Sequence, residues 1–389
     1  MPDARHVKTR LVQAGRTVRF EGGRPVNPPL VRASTLLFES SAHLNEMRAR
    51  RDNERVLTYG ARGNATAFAL EDLITELEGG FGTRLFPTGL AAITQALIAF
   101  LKPGDHVLIS DSVYGPVRHF AAAFFDRYGI AYSFFSADGR GVEALIRPET
   151  RLIYAESPGS FVYEMLDLPE LARLAHAHGS LLAVDNTWGF GYLHRPLLLG
   201  ADIVVSAATK YLGGHSDVVM GAVTTTQAAW QAINASTDAH GMTVGPDDAW
   251  LVLRGARTLA ARMPLHAAHA LEVAAWLSRH PAVAEVYHPA LTSDPGHGLW
   301  LRDFSGSNGL VSFALHAQSA EAAAKAIDAL RLFGIGASWG GFESLVLSAN
   351  MQTLRTVADW SGRSIVIRLH IGLEDPAELI ADLARALEA

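Results

Sequence analysis

A lysine follows a small hydroxyl residue, just past an apolar run, in Ile203-Val204-Val205-Ser206-Ala207-Ala208-Thr209-Lys210, and Gly213-Gly214-His215-Ser216-Asp217 comes soon after. The apolar run reads as a short buried strand and the glycines as a turn beyond it. Lys210 then stands on an ordered loop at a strand end. Partial desolvation there lowers the ammonium pKa and makes the amine nucleophilic. That suits a Schiff base with an aldehyde cofactor. About one βα unit earlier, Leu181-Leu182-Ala183-Val184-Asp185 is an apolar strand ending in an acid. A carboxylate so placed can keep a pyridine nitrogen protonated, and the ring then draws electrons from a substrate's α carbon. Alone, Lys210 also reads as a surface lysine beside a glycine turn, and Asp185-Asn186 as a turn-forming pair. The two in this order and at this spacing point to pyridoxal phosphate.

The elements that must position them follow from the pattern. His106–Ser110, Leu152–Glu156, Leu181–Asp185 and Asp202–Ser206 read as strands alternating with helical stretches, one of them Pro169–His178 ended by Gly179. Such alternation predicts a mostly parallel sheet covered on both faces, with ligands gathered at strand ends. Leu70, Leu73, Ile74 and Leu77 give an amphipathic helix stopped by Gly79-Gly80. Thr88-Gly89-Leu90 opens the next helix, which is predicted to run to about Leu101, and the exposed N–H groups of Gly89 and Leu90 make a ready phosphate site. From about Arg257 the pattern changes to a long alanine-rich helix, Leu259–Ser278. Strands at Leu310–Leu315 and Ser364–Arg368 then flank a helix near Ala320–Leu330, and a last helix starts at Pro376. The expected organisation is an arm over 1–60, with at most a short helix near Ser41–Arg51, an α/β domain over 61–256 and a smaller α+β domain over 257–389. His176 and His178 lie two apart near a helix end, which falls short of a metal site.

The 389 residues carry a formal net charge of -6 and no cysteine. There is no thiol chemistry or disulfide framework to consider, and the composition suits a reducing cytoplasm. Mild acidity argues against nucleic acid as a partner. No uncharged apolar run reaches the ~18 residues of a membrane span, and Met1–His6 lacks the apolar core of a signal peptide.

Several stretches together resemble the Cys/Met-metabolism family of pyridoxal-phosphate enzymes over nearly the whole chain. They are 27–35 (NPPLVRAST), 156–160 (ESPGS), 185–188 (DNTW), 208–212 (ATKYL), 338–344 (SWGGFES) and 367–375 (IRLHIGLED). The loop Ser338-Trp339 fits the bacterial β-lyase branch of that family better than the γ-lyase branch. The resemblance implies an aspartate-aminotransferase-type fold, with Lys210 as Schiff-base lysine and proton carrier, Asp185 on the pyridine nitrogen, and the backbone of Gly89 and Leu90 with the Thr209 hydroxyl on the phosphate. It also implies Tyr114 stacked on the ring and aiding proton transfer, and Arg368 on the substrate α-carboxylate with Ser338 and Trp339 lining the same pocket. The implied arm crosses to a second subunit in a homodimer or homotetramer, where Tyr59 and an arginine hold the neighbour's phosphate. The usual arginine position is Ala61 here, and Arg62 is the adjacent candidate. Many relatives carry a serine where this chain has Ala207. The implied activity is a carbon–sulfur lyase of methionine biosynthesis. It cleaves L-cystathionine, or a related cysteine S-conjugate, by β-elimination to homocysteine, pyruvate and ammonia. A γ-lyase acting on cystathionine or methionine, a specialised lyase, and a non-enzymatic cofactor-binding regulator are the alternatives.

Overall fold

The computed structural model describes residues 5–16, 22–51 and 54–388. A seven-stranded sheet holds β1 (Gly82–Phe86), β2 (His106–Ser110), β3 (Ala131–Phe135), β4 (Thr150–Glu156), β5 (Leu181–Asp185), β6 (Ile203–Ser206) and β7 (Gly221–Thr225), in the order β1-β7-β6-β5-β4-β2-β3. β3, β2, β4, β5 and β6 pair in parallel, and β7 runs antiparallel to both its neighbours. Alternate residues of each strand feed two different cores, as the period of two requires. Val107, Ile109, Leu152 and Tyr154 pack with the helix Gly89–Ile98 on one face. Leu108, Ile153, Ala155, Leu182 and Val184 pack with the helix Leu168–Ala177 on the other.

A second sheet, of order β10-β11-β12-β9-β8, contains β8 (Val283–Tyr287), β9 (Leu310–Leu315), β10 (Gly334–Ile335), β11 (Leu345–Asn350) and β12 (Ile365–His370). The helix Leu259–Leu277 joins the two halves of the molecule. Its first turns, with Leu259 and Met263, enter the core that also holds Tyr211 and Leu212. Its last turns, with Val273, Ala274 and Leu277, enter the core under the second sheet.

Three expectations are corrected. The segment 1–60 carries a second helix, Val7–Gln13, whose Leu11 is fully buried beside Leu70 and Leu73. Its seven residues are too few to show a period. The parts of the expected arm at 1–4, 17–21 and 52–53 lie outside the described residues. The helix begun at Gly89 stops at Ile98 rather than Leu101. Arg368 stands inside β12, two residues before its end, rather than at a strand terminus.

Candidate active site

Parallel strands deliver their last residues to one edge of the sheet, and a cavity of about 320 Å³ opens there. Lys210, Tyr114, Asp185, Gly89, Leu90, Thr209, Arg368, Ser338 and Trp339 all line it. Tyr59 and Arg62 do not line the cavity of their own chain. Tyr59 is 54% exposed, and Arg62 forms an ion pair with Asp238 at 2.8 Å.

Lys210 lies four residues beyond β6 in a tight turn: its N–H donates to Ala207 O (3.0 Å) and its carbonyl accepts from Gly214 N (2.8 Å). The amine donates to Ser338 Oγ at 2.5 Å and sits 5.2 Å from the centre of the Trp339 ring. Removal from water, and then the positive charge of Arg368, lower its pKa to about 8, against the opposing pull of Asp185. The Arg368 guanidinium lies over the Phe161 ring and donates to Ser338 O at 3.0 Å. Its Nε is buried without a partner among the described residues, a donor left for a ligand. Ser338, at φ 82°, thus holds both cations, in a backbone conformation that a serine keeps only when its surroundings impose it.

Asp185 closes β5 and is 6% exposed. The Thr187 N–H donates to its Oδ1 at 2.9 Å, which fixes the carboxylate. Burial raises its pKa. Glu156 is its register partner at the end of β4 and also lines the cavity. It accepts from Tyr114 N (2.5 Å) and Ser160 Oγ (2.6 Å), and burial beside Asp185 lifts it well above the usual carboxylate range. Two neighbouring acids in a dry corner favour a cationic group between them and the cavity. Sequence reading assigned Glu156 no role. Its signal was an acid ending one strand beside a strand that ends in another acid.

The helix Gly89–Ile98 begins at the same cavity, with Thr88 as its cap. A Cβ on Gly89 would stand 2.9 Å from Ala207 Cβ, so only glycine lets the helix start approach the chain before Lys210 this closely. The leading N–H groups of the helix are free of intrahelical partners by construction and suit a phosphate. Thr209 lines the cavity, yet its single hydroxyl proton goes to Met220 O (3.1 Å), and its oxygen accepts from Met220 N (2.9 Å). A phosphate contact through Thr209 requires that bond to be exchanged. A carboxylate at Asp185, an N–H cradle at Gly89 and a desolvated amine in the same cavity fit pyridoxal phosphate.

Three comparisons bear on this site. The family described as Cys/Met metabolism PLP-dependent enzyme matches residues 8–388. The chain is similar to a cystathionine beta-lyase of Bordetella avium, at 49% identity over 99% of this chain and 98% of that one. It is also similar to an L-alanine/L-glutamate racemase of Wolbachia pipientis, at 36% identity over 97% and 96%. The crystal structure of metB from Corynebacterium glutamicum superposes with a TM-score of 0.90 at 30% identity, over 100% of this chain and 99% of that chain. Among the described residues no helix is long and apolar enough to cross a membrane.

Proposed function

The chain belongs to the Cys/Met-metabolism family of PLP-dependent enzymes, and from that membership we propose that it is a carbon–sulfur lyase cleaving L-cystathionine by β-elimination. One observation carries the reading furthest. The Lys210 amine and the Arg368 guanidinium meet on Ser338 in the cavity that Asp185 closes from another side. Bound pyridoxal phosphate supplies an electron sink for the substrate's α carbon. Arg368 grips the α-carboxylate in a bidentate way, its unpartnered Nε among the donors. Lys210, neutral for an appreciable part of the time with its lowered pKa, takes the α-proton onto Nζ. The Asp185 carboxylate, with Glu156 beside it, would face the ring nitrogen and keep a proton on it. Tyr114 stands at the cavity wall, 47% exposed, where its ring can stack on a flat ligand. The Cβ–S bond then breaks. With one water consumed, the products are homocysteine, pyruvate and ammonia.

The reading includes a homodimer or homotetramer. Tyr59 and Arg62 lie outside their own cavity, which supports a role for Tyr59 at a neighbour's phosphate. The Asp238 ion pair leaves Arg62 the weaker candidate. The reading also includes a cytoplasmic site of action, which the cysteine-free composition supports. The test is product analysis with L-cystathionine and added pyridoxal phosphate. Pyruvate with homocysteine is expected. Cysteine with 2-oxobutyrate would move the bond broken to the γ carbon. Absence of both, with α-proton exchange of alanine or glutamate, would favour the racemase-like reaction.

A further inference from the structure

The loop that carries Ser338 and Trp339 has few backbone amide hydrogen bonds of its own, although Trp339 packs beside Tyr211. Ser338 is exposed and Phe342 is 53% exposed. Ser338 and Gly340 both take positive φ, 82° and 93°. Between Ala337 and Gly341, the Gly340 N–H is the one backbone amide with a hydrogen-bond partner among the described residues. That partner is the Nε2 of His370, at 3.1 Å, and the other ring nitrogen, Nδ1, donates to Glu343 O at 3.0 Å. One imidazole therefore spans the loop. The downstream end has further anchors, Leu373 N to Phe342 O (2.8 Å) and Ser344 N to Glu374 Oε1 (2.8 Å). At the Ser338–Gly340 end the other anchors among the described residues are the two active-site cations themselves, Arg368 on Ser338 O (3.0 Å) and Lys210 on Ser338 Oγ (2.5 Å).

The loop must also press on the lysine. A Cβ on Gly340 would fall 2.7 Å from Tyr211 N and 2.9 Å from Lys210 Cα. Any slack at Gly340 moves Ser338 away from the amine and the guanidinium that it holds. We propose that His370 is the positioning residue that seats the Ser338-Trp339 loop over Lys210. It stands two residues beyond Arg368 on β12, so one strand sets both the substrate-facing guanidinium and the loop that orients it. The ring is fully buried beside His266 and Tyr211. Burial, reinforced by His266, lowers its pKa to about 3. It therefore stays neutral and keeps one acceptor and one donor, which the two bonds require.

The proposal rests on the lyase reading only for the activity being assayed. The first measurement is hydrogen–deuterium exchange of peptides covering 337–344 in the cofactor-loaded enzyme. His370→Ala is expected to speed exchange there and leave the seven-stranded sheet unchanged. His370→Gln, whose amide offers both a donor and an acceptor, is expected to restore most of the protection. In the second measurement, kcat/KM on L-cystathionine falls about 10²-fold in His370→Ala, the scale of a misplacement of about 1 Å, and recovers in His370→Gln. Unchanged exchange at 337–344 in His370→Ala would overturn the proposal, as would a uniform rise across the molecule that His370→Gln does not reverse. If wild type does not cleave cystathionine, the exchange result still decides the role of His370.

Discussion

The amine of Lys210 gives the most direct quantitative test. With its pKa lowered to about 8, about one-quarter of the amine is neutral at pH 7.5, against about one part in a thousand for an ordinary lysine. The nucleophile is the neutral form. Capture of pyridoxal phosphate by apoenzyme should therefore accelerate between pH 7 and 9, with a midpoint near 8. The second cause of the lowering is Arg368, which shares Ser338 with the amine. Arg368→Met keeps an apolar stem against Phe161 and removes the charge. Burial is the larger of the two causes that take the amine from 10.5 to about 8, so loss of the smaller one, the cation, moves the midpoint up to about 9. At pH 7.5 the neutral fraction then falls to about 3%, and capture slows about eightfold. Stopped-flow absorbance of the bound cofactor, read across pH for both proteins, measures this. A wild-type midpoint near 10 would refute the desolvated amine. A variant profile that superposes on wild type would refute the coupling to Arg368.

Three further outcomes follow from the same structure. Asp185→Asn cannot carry a charge toward the ring nitrogen, so kcat at saturating cofactor should drop by about 10²-fold or more; steady-state turnover with a spectroscopic check of cofactor loading measures it. Glu78 is fully buried between Asn186 Nδ2 (2.8 Å) and Ser206 Oγ (3.0 Å), and burial pushes its pKa up to about 8. The native state thus keeps a proton that the unfolded chain sheds near its ordinary pKa of 4.5, and stability falls as pH rises from there through about 8. The loss is on the order of a few kcal/mol. Glu78→Gln should remove most of this slope, leaving the melting temperature less dependent on pH between 5 and 9 by about 5 °C. Finally, Gly340→Ala places a Cβ 2.7 Å from Tyr211 N at a φ of 93°. It should cost about 1–3 kcal/mol in thermal or denaturant unfolding and lower the fraction of enzyme that holds cofactor.

The residues that local chain pattern could reach are those whose role depends on a strand end or a helix start. Lys210 after β6, Asp185 at the end of β5, and Gly89 opening a helix each carry their placement in a dozen neighbouring residues. In a parallel sheet those ends are forced to one edge, so the sequence alone determined the mixed α/β class and the group that meets there. It could not place what depends on distant segments. Ser338 reaches Lys210 across 128 positions of chain and Arg368 across 30. Glu156 gains its meaning only from the register that sets it beside Asp185. The Thr209 hydroxyl, expected free for a phosphate, is taken by Met220, and Arg62 is taken by Asp238. His370 read as one letter of a family motif until the fold set its two nitrogens on Gly340 and Glu343. Apolar periodicity is a local property and fixes which face of an element is buried. Hydrogen-bond partnership and charge proximity depend on how those faces pack, and only the tertiary structure decided them.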